Sequence, residues 1–157
     1  MHFKVSKVIL ASTLSLIALG VRRSDAKCDP SGADAADVAA ARAAVALNCD
    51  CAGAANHGAY VSCAAGQAKL TLVNPSCKGA VVKCAAKSTC GKPNFVTCCR
   101  TKASGATKCS TKSSASKCVP PSGGSACVGN FASCCDACTS TGCAASPSGA
   151  FLDSSSH

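Results

Sequence analysis

Sixteen cysteines lie between Cys28 and Cys143, and none precedes Cys28. At about one residue in eight of the chain after Ala26, this density reads as a disulfide scaffold in a protein that matures where thiols oxidise. The number is even, so every cysteine can pair: Cys28, Cys49, Cys51, Cys63, Cys77, Cys84, Cys90, Cys98, Cys99, Cys109, Cys118, Cys127, Cys134, Cys135, Cys138 and Cys143 are all expected in bridges. Eight pairs can be drawn in about two million ways, so spacing alone leaves the connectivity open.

Large apolar side chains are too few to replace the bridges. After Ala26 the aromatic residues are Tyr60, Phe95, Phe131 and Phe151, and much of the 48% hydrophobic content is alanine and cysteine. A buried Leu or Phe contributes about 1.5–3 kcal/mol and Ala far less, whereas a native disulfide contributes about 2–4 kcal/mol. Reduction is expected to unfold the chain.

The N-terminus has the layout of a secretory leader. Lys4 and Lys7 precede an apolar run from Val8 to Gly20, and Ser24 and Ala26 supply small residues before a cut at Lys27. The run is too short to span a hydrocarbon core of about 30 Å, and no later segment is longer and equally apolar. Residues 1–26 are thus expected as a signal peptide, and the mature chain as secreted, periplasmic or extracellular with no integral membrane span.

Charge is unevenly placed. Beyond Ala26 there are twelve basic and six acidic residues, no Glu occurs, and no acid lies between Asp50 and Asp136. Ten basic residues fall in that interval: Lys69, Lys78, Lys83, Lys87, Lys92, Arg100, Lys102, Lys108, Lys112 and Lys117. They are the candidate anion-binding set, pointing to acidic polysaccharide or an anionic envelope surface; ordinary solvation of well-spaced lysines is the plainer reading. No specific nucleic-acid partner is expected.

The expected fold is a small disulfide-rich α+β unit, with short Ala-rich helices first and turn-rich short strands after them. A helix is expected over 31–47, with Ser31 and Asp34 as a capping box and Val38, Ala41, Val45 and Cys49 on one stripe. A second starts at Asn56 and runs to about Leu70, with Tyr60, Cys63, Ala64 and Gln67 on one face. A third follows Asn74-Pro75, with Cys77, Val81 and Cys84 inward.

After Cys90 a cysteine recurs every eight to ten residues among turn-formers such as Gly91-Lys92-Pro93-Asn94 and Pro120-Pro121-Ser122-Gly123-Gly124. A three-residue loop at Ala103–Gly105 predicts a hairpin that puts Cys99 opposite Cys109, a candidate bridge. Asn94-Phe95-Val96-Thr97-Cys98-Cys99 is echoed by Asn130-Phe131-Ala132-Ser133-Cys134-Cys135, which predicts two paired supersecondary units. The resulting parts are 27–91, helical; 92–143, turn and strand; and 144–157, a loose tail. Cutting after Gly91 leaves seven cysteines before and nine after, so with all paired within the chain at least one bridge crosses and the two parts are expected as one stapled unit, whereas a cut before Cys90 leaves six and ten and requires no crossing.

Motifs for catalysis are thin. Cys135-Asp136-Ala137-Cys138 has thiol-redox spacing, but among sixteen cysteines it reads as structural. A zinc site from Cys134, Cys135, Cys138 and Cys143 would need thiolates kept from oxidation. His57 has no nucleophile or orienting acid placed for it in sequence, and its position beside Asn56 reads as a cap or surface role. Irregular cysteine intervals argue against a threonine-laddered ice-binding solenoid. No catalytic residue, metal or cofactor is expected, and no Asn-Xaa-Ser/Thr sequon occurs.

Two stretches, Cys49-Asp50-Cys51-Ala52-Gly53-Ala54-Ala55-Asn56-His57-Gly58-Ala59-Tyr60-Val61-Ser62-Cys63 and Cys90-Gly91-Lys92-Pro93-Asn94-Phe95-Val96-Thr97-Cys98-Cys99-Arg100-Thr101, resemble segments of uncharacterised cysteine-rich exported proteins of environmental bacteria. The resemblance implies an exported bacterial protein and carries no activity or functional residue with it.

The expectation is therefore an exported, disulfide-stapled, non-enzymatic binding or structural protein at or outside the cell envelope. A secreted cationic antimicrobial or inhibitor-like effector is the alternative. A small thiol-redox or hydrolytic enzyme is a distant third.

Overall fold

The computed structural model describes residues 27–145. The leader expected over 1–26, and residues 146–157 of the expected tail, lie outside the described residues. The first helix, α1, is Ala35–Asn48, and it buries Val38, Ala41 and Val45, with Cys49 buried just beyond its end. Its alanines favour helix and let neighbours approach closely.

The expected Ser31–Asp34 capping box does not form. Asp34 occupies the N-cap without a side-chain cap bond. Its carboxylate instead accepts the Asp29 N–H at 2.8 Å and the Asn74 side-chain amide at 3.1 Å, while the Ser31 hydroxyl turns to Asp29. The cause lies just upstream: Cys28 is bonded to Cys77. That bridge holds residues 28–34 in a turn beside Asn74, and the helix starts only when the turn ends.

The second helix, α2, is His57–Thr71, capped by Asn56, whose side chain accepts the Ala59 N–H at 2.9 Å. Asn74 caps a single 3-10 turn, Pro75–Cys77, which leads into α3, Lys78–Ala86. The core between the three helices is small-residue: Ala41, Ala64, Ala68 and Ala85 with Val38, Val45, Leu72 and Val81. Of the three leucines in this half only Leu72 is recruited, Leu47 being 85% and Leu70 80% exposed. Bridges Cys28–Cys77, Cys49–Cys63 and Cys51–Cys90 do the fastening. Gly91, at φ +68°, turns the chain so close to the Asn56 backbone that a Cβ would lie 2.4 Å from it.

The C-terminal half is a three-stranded antiparallel sheet in the order β2-β1-β3, formed by β1 (Val96–Thr101), β2 (Thr107–Lys112) and β3 (Ser125–Val128). The β1–β2 loop is the expected one. Lys102 N–H donates to the Ala106 carbonyl at 3.0 Å, and Gly105 takes the left-handed conformation at φ +82° that closes a three-residue hairpin. A one-turn helix, α4 (Cys134–Ala137), and a minimal hairpin, β4 (Cys138–Thr139) with β5 (Gly142–Cys143), complete the fold.

The hairpin places Cys99 directly opposite Cys109, but the two are not bonded to each other. Side chains stand roughly perpendicular to a sheet, so both sulfurs point at whatever covers that face. Cys99 joins Cys138, Cys109 joins Cys134, and Cys127 of β3 joins Cys143. Three bridges thus rivet α4 and the β4–β5 hairpin onto one face of the sheet.

The sequence echo does not produce paired units either. The first copy enters strand β1; the second is a bend leading into α4. Thr97 in the strand donates its hydroxyl to the Phe131 carbonyl at 2.8 Å, whereas its counterpart Ser133 caps α4 by accepting the Cys135 N–H at 3.2 Å. The copies lie against each other, and that contact gives them different jobs.

One bridge, Cys84–Cys135, crosses from residues 27–91 to 92–143. Around it Ser133 donates to the Cys84 carbonyl at 3.0 Å, Cys134 N–H to Lys87 at 3.0 Å, and Thr89 N–H to Ala132 at 2.9 Å. The eighth bridge is Cys98–Cys118, and no cysteine is free. Among the described residues no helix is long and apolar enough to cross a membrane.

Candidate functional site

Period-two alternation divides the sheet's side chains. Thr97, Cys99 and Thr101 of β1, and their opposites Thr111, Cys109 and Thr107, lie on the face carrying the bridges to α4 and β4–β5. Cys98 and Arg100, with Lys108, Ser110 and Lys112 across the ladder, lie on the other. Cys98 is bonded to Cys118, which draws the following segment over this second face as far as Pro121.

Between that segment and the hairpin is a cleft of about 340 Å³, lined by Arg100, Lys102, Lys108, Ser110, Lys112 and Pro121. Four of its residues are cations, and none is acidic. Arg100 stands opposite Lys108 in register, a like-charge pairing that costs stability. The Arg100 Nε is buried and has no hydrogen-bond partner.

The acids elsewhere have other engagements. Asp37 accepts the N–H groups of Val73 and Asn74, Asp50 those of Ala52 and Gly53, and Asp136 pairs with Arg42. Arg42–Asp136 is the one ion pair among the described residues.

No protein-family model, curated protein or solved structure matches the chain. What the site can do rests on its own geometry.

The other six candidate cations are dispersed. Lys69 is in the last turn of α2, Lys78 and Lys83 lie on α3, and Lys87 is its C-cap. Lys92 is tied locally, its Nζ 3.2 Å from the Ser88 carbonyl and 5.8 Å from the Phe95 ring centroid, and burial lowers its pKa. Lys117 ends a short 3-10 turn. None of the six lines the cleft. Ser110 and Pro121 were absent from the expected set; the alternation Lys108-Ser110-Lys112 was the available signal for the first, and nothing local marks the second.

His57 does structural work. Its Nδ1 lies 2.9 Å from the Cys90 carbonyl and its Nε2 3.1 Å from that of Ala86, which ties the start of α2 to the end of α3. Tyr60 faces the Arg42–Asp136 pair across a small cavity of about 100 Å³; burial first, and the Asp136 carboxylate second, raise its pKa. A broader cleft of about 670 Å³ includes Tyr60, Phe131, Asp50 and Asp136. Both carboxylates there already accept hydrogen bonds.

Cys135 and Cys138 of the C-x-x-C are bonded to Cys84 and Cys99, not to each other. Cys134, Cys135, Cys138 and Cys143, the four sulfurs of the conceivable zinc site, sit in four separate bridges. The sulfurs of Cys99, Cys109 and Cys138 lie within 4.8 Å of one another, yet in the oxidised form they offer no thiolate to a metal.

Proposed function

We propose that this chain is a non-enzymatic binding protein of an oxidising, extracytoplasmic compartment, and that its Arg100–Lys102–Lys108–Lys112 cleft takes an anionic partner such as acidic polysaccharide. Eight disulfides fit that compartment, and the leader-like residues 1–26 fit export to it. In the cleft four cations converge with no carboxylate to neutralise them. A cleft lined by one sign of charge focuses the field and concentrates anions of the opposite sign within it.

The direct test passes the oxidised protein over a carboxylated polysaccharide matrix at rising salt. Retention at low ionic strength that is lost between about 50 and 200 mM salt is expected. Absence of retention at low salt, or retention indifferent to salt, contradicts the proposal.

A further inference from the structure

We infer that the occupant of the cleft is a single extended acidic polysaccharide chain lying along the hairpin axis, with one of its anionic groups seated on Arg100; the inference rests on the anion-binding reading above. The cations form a row. Lys102 stands by the turn, Arg100 and Lys108 face each other one step along, Ser110 follows, and Lys112 ends the line. Same-face side chains are about 7 Å apart along a strand, so the row spans about 20 Å. A compact single anion would engage one step of it and leave the rest unneutralised.

Depth argues against a flat partner. Lys102 and Lys108 are exposed, but Arg100 is half-buried, its Nε is wholly covered, and Pro121 walls the cleft. An anionic bilayer reaches the rim lysines; only a protruding group on a narrow chain reaches the Arg100 guanidinium, whose planar fork suits a carboxylate or sulfate. Nucleic acid fits less well, because no aromatic side chain lines the cleft to stack a base. Ser110 supplies a hydroxyl between cations, where a sugar hydroxyl can pair.

The test uses the full oxidised protein and a length series of linear uronate oligomers, from a single uronic acid to chains well beyond the cleft. Affinity is expected to climb with length until the oligomer spans about 20 Å and then level off. The logarithm of affinity against that of salt should fall with a slope of about −2 to −3 for the long chains, the value for three or four neutralised charges on a single strand. Arg100→Gln should weaken the long chains about 10- to 100-fold, with Arg100→Lys recovering part of the loss. Anionic lipid vesicles should show no such dependence on Arg100. Disulfide mapping of non-reduced digests that returns the same eight pairings, with matching amide spectra, establishes that each variant is folded alike.

Equal affinity for a single uronic acid and for long chains overturns the inference while leaving the anion-binding reading in place. Vesicle binding that depends on Arg100 as strongly as oligomer binding does overturns the extended-chain occupant. Failure of every oligomer and of the acidic matrix to bind at low salt overturns both.

Discussion

Arg100 faces Lys108 directly across the β1–β2 ladder, with the Arg100 Nε buried and unpartnered beneath them. Opposite-charge pairs at such positions stabilise a hairpin by about 0.2–1 kcal/mol, and like charges cost a similar amount. Lys108→Glu is therefore expected to raise stability by about 0.5–1 kcal/mol while abolishing retention on an acidic matrix. Arg100→Met removes an unsatisfied buried donor and should be neutral or stabilising by about 1 kcal/mol, again with binding lost. Chemical denaturation of both variants beside the wild type measures this. A loss of stability in both would show that the pair is a structural element and not a ligand site.

Cys84–Cys135 is the only bridge joining residues 27–91 to 92–143. Replacing both cysteines with serine should cost about 2–4 kcal/mol, and the loss should be local. Hydrogen exchange is expected to quicken at Thr89 and Cys134, whose N–H groups bond across the junction, while the β1–β2 amides keep their protection. Uniform loss of protection across both halves would mean that neither half holds its structure without the other.

Tyr60 gives a pH signature. Its pKa is raised from the ordinary value of 10.0, first by burial and then by Asp136. The folded state therefore holds the phenolic proton more tightly than the unfolded chain. That stabilisation is fully present below pH 10.0 and is lost as pH rises through the folded value. Lys92, lowered by burial from its ordinary 10.5, acts in the opposite sense, its contribution to stability rising with pH up to that value. Comparing wild type with Tyr60→Phe isolates the tyrosine: the wild type should lose stability relative to the variant above about pH 10. Parallel curves would show that Tyr60 is solvated alike in both states.

The parts of the fold legible in the sequence were those with local causes. Asn56 and Asn74-Pro75 announce helix starts through caps acting within three residues, and the α1 stripe follows from helical spacing. Gly105 closes the hairpin because its left-handed conformation suits glycine. Features with distant causes were hidden. Cys99 looked destined for Cys109 until α4, some 35 residues on, covered the face that both sulfurs point to. The echo of Asn94–Cys99 in Asn130–Cys135 misled for the same reason, since long-range bridges decide which copy is a strand. The short β3 also pairs at a distance, and nothing local in Ser125–Val128 fixes its partner.

The candidate site was half legible. The ten basic residues between Asp50 and Asp136 are plain in the sequence, and the alternation Arg100–Lys102 and Lys108–Ser110–Lys112 puts one subset on a common face. Which members converge depends on the Cys98–Cys118 bridge that brings Pro121 over the sheet, and on the helices that carry Lys69, Lys78 and Lys83 elsewhere.

Anion binding is proposed to reside in the Arg100 cleft and not in the diffuse charge of the chain. The most direct measurement is a uronate-oligomer titration of the isotope-labelled oxidised protein, followed by NMR through the backbone amides and the Arg100 Nε–H. The Arg100 Nε–H and the amides of Lys102, Lys108, Ser110 and Lys112 are expected to shift together and saturate with one affinity. Shifts confined to Lys69, Lys78, Lys83 and Lys87, with the Arg100 Nε–H unmoved, would contradict it.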